Sequence, residues 1–316
     1  MDPGNPETFE HFMARALHDP VRGYYARNIR GIGARGDFTT APQLSEAPGE
    51  AIAGWVAEAL RETGTRHVIE IGPGLGTLSG QVMRRLPFTL RLRTRFHLVE
   101  SSPALAKRQA ELLGKKVSHH TRIHGALAAC SGNAVIFSNE LVDAFPCRLF
   151  EKSNGEWREV ALVHSSGQPA EILLPPAGLP PSSAFKLDFP DGQRVEIHDS
   201  YRLWLESWLP GWKRGKMLTI DYGTTAETLY HRRPGGSLRA YFLHQRSCGA
   251  EIYQNPGLRD ITADVNFTDL SQWPAAWLGA RDPEALGRFI RRYTAAGGDH
   301  LMEAAGNFMA LSQERL

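Results

Sequence analysis

The spacing of apolar positions predicts helices and strands in alternation. Phe9, Phe12, Met13, Ala16 and Leu17 recur at helical intervals, and Pro20 and Gly23 should end that helix. Residues 23–46, rich in Gly, Thr and Pro, read as extended chain. Ala51, Ile52, Trp55, Val56, Ala59 and Leu60 form a second helical stripe, in which Trp55 reads as core. Short apolar runs at 67–71, 96–99, 134–138 and 217–220 then predict strands. A helix is expected over 77–86, with Leu78, Val82 and Leu86 on one face. Another should start at Ser102 as N-cap, with Pro103 in its first position. Such alternation predicts an α/β fold with a mostly parallel, doubly wound sheet.

After residue 147 the pattern changes. Apolar runs at 148–152 and 157–163 flank Asn154-Gly155, a hairpin signal. Residues 165–192, rich in Pro, Gly and Ser, read as surface loop. A strand at 194–198 and a helix at 201–209 precede the return to the sheet at 217. Two helices are expected to close the chain. One starts at Asp282-Pro283, and the other carries Leu301, Met302, Ala305, Phe308 and Met309. This divides the chain into an N-terminal helical and extended segment (1–65), a core in two pieces (66–147 and 214–316), and an inserted substrate-side region (148–213).

Composition narrows the classes. The 316 residues carry 36 Lys plus Arg against 34 Asp plus Glu, a net charge of +2, which argues against a nucleic-acid binder driven by overall charge. Cys130, Cys147 and Cys248 are far apart, with neither zinc spacing nor a disulfide framework. No metal site is expected. No run approaches 18 apolar residues, so no membrane span or membrane partner is expected. The N-terminus has neither a basic nor an apolar leader pattern and carries Asp2, Glu7 and Glu10. These features predict a cytoplasmic enzyme. A homodimer is compatible with them.

Ile69-Glu70-Ile71-Gly72-Pro73-Gly74-Leu75-Gly76-Thr77 is the sharpest local signal, between a predicted strand and a predicted helix. Glycines allow a tight turn and close approach of a ligand, and the following helix offers unpaired N–H groups. A dinucleotide fingerprint beginning at Gly72 would need glycine at 77, where this chain has Thr77, so a nicotinamide cofactor fits poorly. The GxGxG form after an acid resembles the first motif of class I S-adenosylmethionine methyltransferases, and by that likeness Glu70 and the loop hold the methionine end of the cofactor. Glu100, at the end of the next strand, can chelate ribose hydroxyls.

Further segments extend the likeness. GYYARNIRGIGARGDFTTAPQLSE (23–46), IEIGPGLGTL (69–78), HLVESSP (97–103), SNELVDAFP (138–146), LTIDYG (218–223), GSLRAYFLH (236–244) and PGLRDITADVNF (256–267) together resemble the MidA-like methyltransferases. That family includes a mitochondrial complex I assembly factor that acts as a protein arginine methyltransferase. The resemblance implies a Rossmann-like class I fold and S-adenosylmethionine as cofactor. It implies a cofactor site of Glu70, Gly72, Gly74, Gly76, Thr77, Glu100, Ser101 and Asn139. The family usually has Asp where this chain has Asn266.

The expected acceptor is an arginine side chain of a protein substrate; a small molecule, or a fold kept for assembly without catalysis, are the alternatives. A guanidinium stays protonated, with a pKa above about 12, and a carboxylate pair can hold it bidentately. Glu140 is the candidate for orienting it, with Asp143 or Asp37 assisting. A helical turn over 140–144 would place Glu140 and Asp143 on one side. Asp221-Tyr222-Gly223 is expected to line the acceptor pocket, His244 is a candidate base, and Tyr24-Tyr25 could stack on a substrate. Tyr241, Asp260, Thr262 and Asp264 come from the two later motifs, and His119-His120 reads as exposed polar surface.

Overall fold

Val68, Ile69 and Ile71, three β-branched residues running into the turn at Gly72, form the middle of the largest sheet. The computed structural model describes residues 5–27, 46–165, 168–242, 245–279, 281–294 and 307–316. In chain order its strands are β1 (Glu7–Thr8), β2 (His67–Ile71), β3 (Arg95–Val99), β4 (Val117–His120), β5 (Val135–Asn139), β6 (Arg148–Ser153), β7 (Glu156–Ser165), β8 (Gln168–Leu174), β9 (Arg194–Ile197), β10 (Lys216–Thr224), β11 (Arg239–Phe242), β12 (Gln245–Ser247), β13 (Asp260–Thr262), β14 (Val265–Asn266), β15 (Glu284–Ala285) and β16 (Phe308–Glu314).

The largest sheet runs β15-β16-β10-β5-β2-β3-β4, with β14 beside β10. Pairing is parallel from β10 through β4 and antiparallel where β16 joins β10 and β15 joins β16. Helices cover both faces. On one, Ala47–Thr63, Thr77–Arg85 and Leu286–Tyr293 bury Ile52, Val56, Val82 and Phe289 against Val68, Phe96 and Phe137. On the other, Ile123–Ala129, Asp199–Trp208 and Phe267–Gln272 pack around Trp208 and Trp212. Each fully buried large apolar side chain contributes about 1.5–3 kcal/mol. The chain reverses direction across the sheet between β2 and β5. At such a switch point the carboxyl ends of the strands open a crevice.

A second, antiparallel sheet runs β1-β7-β6-β9, with β8 on β7. The hairpin turn between β6 and β7 puts Asn154 (φ 53°) and Gly155 (φ 76°) in the left-handed region that a type I′ turn requires. The N-terminal helix Phe9–His18 seats Phe9, Phe12, Met13 and Leu17 against Leu149, Val160, Leu162 and Tyr253. That packing carries the end of the helix toward the crevice. β11, β12 and β13 form a third sheet.

Four expectations about elements are corrected. Tyr24–Arg27, expected to be extended, is a short helix, and residues 28–45 of that segment lie outside the described residues. Residues 168–174 are strand rather than loop, and β8 tolerates Pro169 because it lies at a sheet edge. Of the expected closing helix, Leu301, Met302 and Ala305 lie outside the described residues, and Phe308 and Met309 belong to β16, not to a helix. Phe308 and Ala310 face one core while Met309 and Leu311 face the other, a two-sided burial whose apolar run hides its period of two. Residues 284–285 pair with β16, so the helix near Asp282-Pro283 starts only at Leu286.

Candidate active site

Three strand ends and one helix start meet at the crevice. After β2 the chain turns through Gly72 (φ 66°), Gly74 (φ 54°) and Gly76 (φ 79°). A Cβ at 72 would stand 2.7 Å from Leu141 Cδ1, whereas one at 74 would meet nothing within 4 Å. Gly74 therefore turns its bare face to open space. Gln109, fully buried on the Pro103–Leu113 helix, ties this loop down by donating from Nε2 to the Gly74 carbonyl at 2.7 Å and to Glu100 Oε2 at 3.3 Å.

Glu70, Gly72, Gly74, Thr77, Glu100, Ser101, Asn139 and Glu140 line one cavity of about 200 Å³. Tyr25, His18, Leu141 and Phe145 complete its far wall. Glu70 is buried on β2 and accepts a hydrogen bond from Ser79 Oγ; burial pushes its carboxyl up to about 7. Glu100 accepts from Ser102 N at 2.8 Å, and burial raises its carboxyl too. Two acids near the ends of adjacent strands, both costly to ionise without a cation, are suited to a positively charged nucleoside.

Glu140 departs from expectation. Residues 140–144 make a turn rather than a helical turn, with Phe145 N donating to Val142 O at 2.9 Å. Glu140 sits at φ 52°, an uncommon conformation for a residue other than glycine. Fully buried Asp221 fixes that turn, accepting from Leu141 N (3.1 Å), Val142 N (2.7 Å) and Tyr222 N (2.8 Å). Asp221 thus props the turn from behind instead of lining the pocket. The turn also separates the expected pair. Glu140 faces the cavity and accepts from Asn139 Nδ2 at 2.9 Å, while Asp143 is buried outside it. Burial raises Asp143 to about 6, with Arg239 opposing and Asp264 adding to the rise. Arg239 and Arg233 both pair with Asp264.

The far wall comes from the N-terminal segment. His18 stacks on Tyr25 with ring centroids 5.5 Å apart, and its Nε2 lies 3.3 Å from the Ala144 carbonyl. Burial lowers the His18 pKa and keeps the ring neutral. Tyr25 donates to Asp260 at 3.1 Å. Tyr24 is buried, so only Tyr25 of the aromatic pair reaches the cavity. Asp37 and His244 lie outside the described residues. His119-His120 is not simple polar surface: His67, His97 and His120 form a chain of ring contacts at 2.9 and 3.1 Å across β2, β3 and β4. Sequence reasoning missed His18 and Gln109. Gln109 left a signal as the polar residue between Leu105 and Leu113 at four-residue spacing, whereas His18 left none.

A glycine loop opening a helix at a switch point, with an acid at the end of the next strand, is the layout of an α/β nucleotide-cofactor site. The family model described as "Putative S-adenosyl-L-methionine-dependent methyltransferase" matches residues 51–282, and the chain belongs to that family. It is an S-adenosylmethionine-dependent methyltransferase. It is 28% identical over 293 residues to the protein arginine methyltransferase NDUFAF7, mitochondrial, of Xenopus tropicalis, covering 83% of this chain and 66% of that protein. The Caenorhabditis elegans homolog is 29% identical over 305 residues, with 84% and 68% covered. The chain thus spans about two thirds of these relatives' length. A COG1565 superfamily member from Burkholderia thailandensis, solved bound to S-adenosyl-homocysteine, aligns with TM-score 0.81 at 26% identity, covering 99% of this chain and 88% of that one.

The expected cytoplasmic location is corrected here. The curated relatives named above are mitochondrial proteins and point away from the cytoplasm. Sparse, unpaired cysteines do not distinguish the cytosol from any other compartment.

Proposed function

We propose that the chain transfers a methyl group from S-adenosylmethionine to an arginine side chain of a protein. The observation that carries this reading is the single cavity shared by the glycine loop, Glu100 and Glu140. The bare Gly74 face and the two raised carboxyls fit the cofactor. Gly72, Gly74, Thr77, Glu70, Glu100, Ser101 and Asn139 would hold it, with Gly76 shaping the loop. When bound, it supplies a methyl already activated on a sulfonium.

The chain's own residues then do the positioning. Glu140, aimed by Asn139 and by the turn that Asp221 holds, accepts two N–H bonds from the guanidinium and fixes which nitrogen faces the methyl. Its carboxylate also offsets positive charge at the acceptor and takes the N–H proton that the nitrogen sheds as it gains the methyl, so the guanidinium keeps a single positive charge. Asp143 lends negative potential from behind the wall without touching the acceptor. Leu141, Phe145 and Tyr25 exclude water. The relatives' printed activity supports arginine as acceptor. The aromatic and apolar far wall keeps a small-molecule acceptor as the second reading.

Incubation with methyl-labelled S-adenosylmethionine and arginine-containing peptides tests this. Labelled methylarginine is expected from the wild type, and Glu140→Gln should abolish it while cofactor affinity changes little. Normal turnover by that variant, or label found only on small molecules, would refute the arginine reading.

A further inference from the structure

The edge of the sheet opposite the cavity has a composition that the net charge conceals. Between Glu70 and Glu100 there is no acidic residue, yet Arg84, Arg85, Arg91, Arg93 and Arg95 fall there. In a parallel sheet, neighbouring strands begin at one edge. Register pairs His67 with Arg95 and Phe96 with Val117, which gathers Arg66, Arg93, Arg95, Lys115 and Lys116 at that edge. All five are exposed. Of the acids nearby, Glu46 pairs with Arg85 and Glu62 with Lys216, and Glu111 stands exposed beside Leu112, so the cations outnumber the acids at this edge.

Apolar side chains stand among these cations. Phe88 is 64% exposed, Leu92 70% and Leu112 58%. Phe88 and Leu92 are four residues apart at the two ends of the short Phe88–Arg91 helix, and the Arg91 guanidinium lies 5.7 Å from the Phe88 ring centroid. Leu112 ends the Pro103–Leu113 helix, which leaves the carboxyl end of β3 and returns to this edge before β4.

We propose that this edge docks on an anionic phospholipid bilayer, with Phe88, Leu92 and Leu112 entering the headgroup layer and the arginines and lysines facing phosphates. Charge complementarity selects an anionic partner. The aliphatic tips select a lipid over a nucleic acid, because Leu92 and Leu112 gain by leaving water only where an acyl boundary receives them. The five residues of β3 place the cavity end about 17 Å from the docking edge, so the site stays open to its acceptor.

Co-sedimentation of the full chain tests this, using vesicles of phosphatidylcholine alone or with about 30% phosphatidylglycerol, near 0.1 M salt. Binding is expected only to the anionic vesicles, and it should weaken as salt rises. Phe88→Ser with Leu92→Ser should lower partitioning at least tenfold. Arg91→Ala, Arg93→Ala and Arg95→Ala together should lower it about a hundredfold, at roughly fivefold per cation. Thermal stabilisation by S-adenosylmethionine should persist in both variants, showing that they fold. Absence of binding to anionic vesicles would overturn the proposal, as would wild-type partitioning of Phe88→Ser/Leu92→Ser. Retention on duplex DNA or polyglutamate without vesicle binding would overturn it too, assigning the cations to another partner.

Discussion

Replacing Glu70 by Gln separates what the cavity needs from what the fold prefers. Burial pushes this carboxyl from 4.5 up to about 7. The folded chain therefore holds the proton more tightly than the unfolded chain does. Stability falls as pH rises from the unfolded value through the folded one, and the loss is complete above about pH 8. The difference corresponds to about 3 kcal/mol at pH 8 and to under about 1 kcal/mol at pH 5. Glu70→Gln carries no charge to desolvate, and its amide oxygen can still accept from Ser79. At roughly 2 °C per kcal/mol for a chain of this size, its Tm should exceed the wild type's by about 5 °C at pH 8 and by little at pH 5. Cofactor affinity should move the opposite way, falling at least tenfold at pH 8, because the lost carboxylate is one that a cationic ligand would keep ionised. Thermal melts from pH 5 to 8.5, with and without S-adenosylmethionine, read both effects. A Tm difference independent of pH, or unchanged cofactor affinity, would refute the reasoning.

Gly74→Ala places a methyl where no protein atom stands within 4 Å, so its stability cost is only the strain of φ 54°, about 1 kcal/mol. Cofactor affinity should nevertheless drop tenfold or more, read by calorimetry. Asn266 caps the Phe267–Gln272 helix, accepting from Thr268 N (3.1 Å) and Asp269 N (3.4 Å) and donating to Ser183 Oγ (3.0 Å). Asn266→Asp keeps the two acceptor roles but loses that donor and sets a second charge beside buried Asp269. It should lower stability by about 1–2 kcal/mol in urea melts while leaving activity at saturating cofactor intact.

The glycine-loop side of the cavity was legible because it is local. Glu70, Gly72, Gly74 and Thr77 lie in one stretch, and Glu100 follows one strand later, so chain order alone places them together. The opposite wall of the cavity was legible only in part. Glu140 was found because it follows a strand, but its conformation depends on Asp221, 81 residues on, which no local pattern announces. A residue held in the left-handed region by bonds to a distant side chain breaks the helical spacing that would unite it with Asp143. His18 reaches the cavity only because Phe9, Phe12, Met13 and Leu17 pack on the inserted sheet, a tertiary fact invisible in periodicity. The end of the expected helix at Phe308 and Met309 was misread for the opposite reason: a strand apolar on both faces hides its alternation in the sequence.

The account rests on one cavity joining the glycine loop, Glu100 and Glu140, and a crystal structure with S-adenosyl-homocysteine bound tests it most directly. The account predicts the ribose at Glu100, the amino-acid end against the 72–77 loop, and the sulfur directed toward Glu140. A ligand bound outside this cavity, or one whose sulfur points away from Glu140, would contradict it.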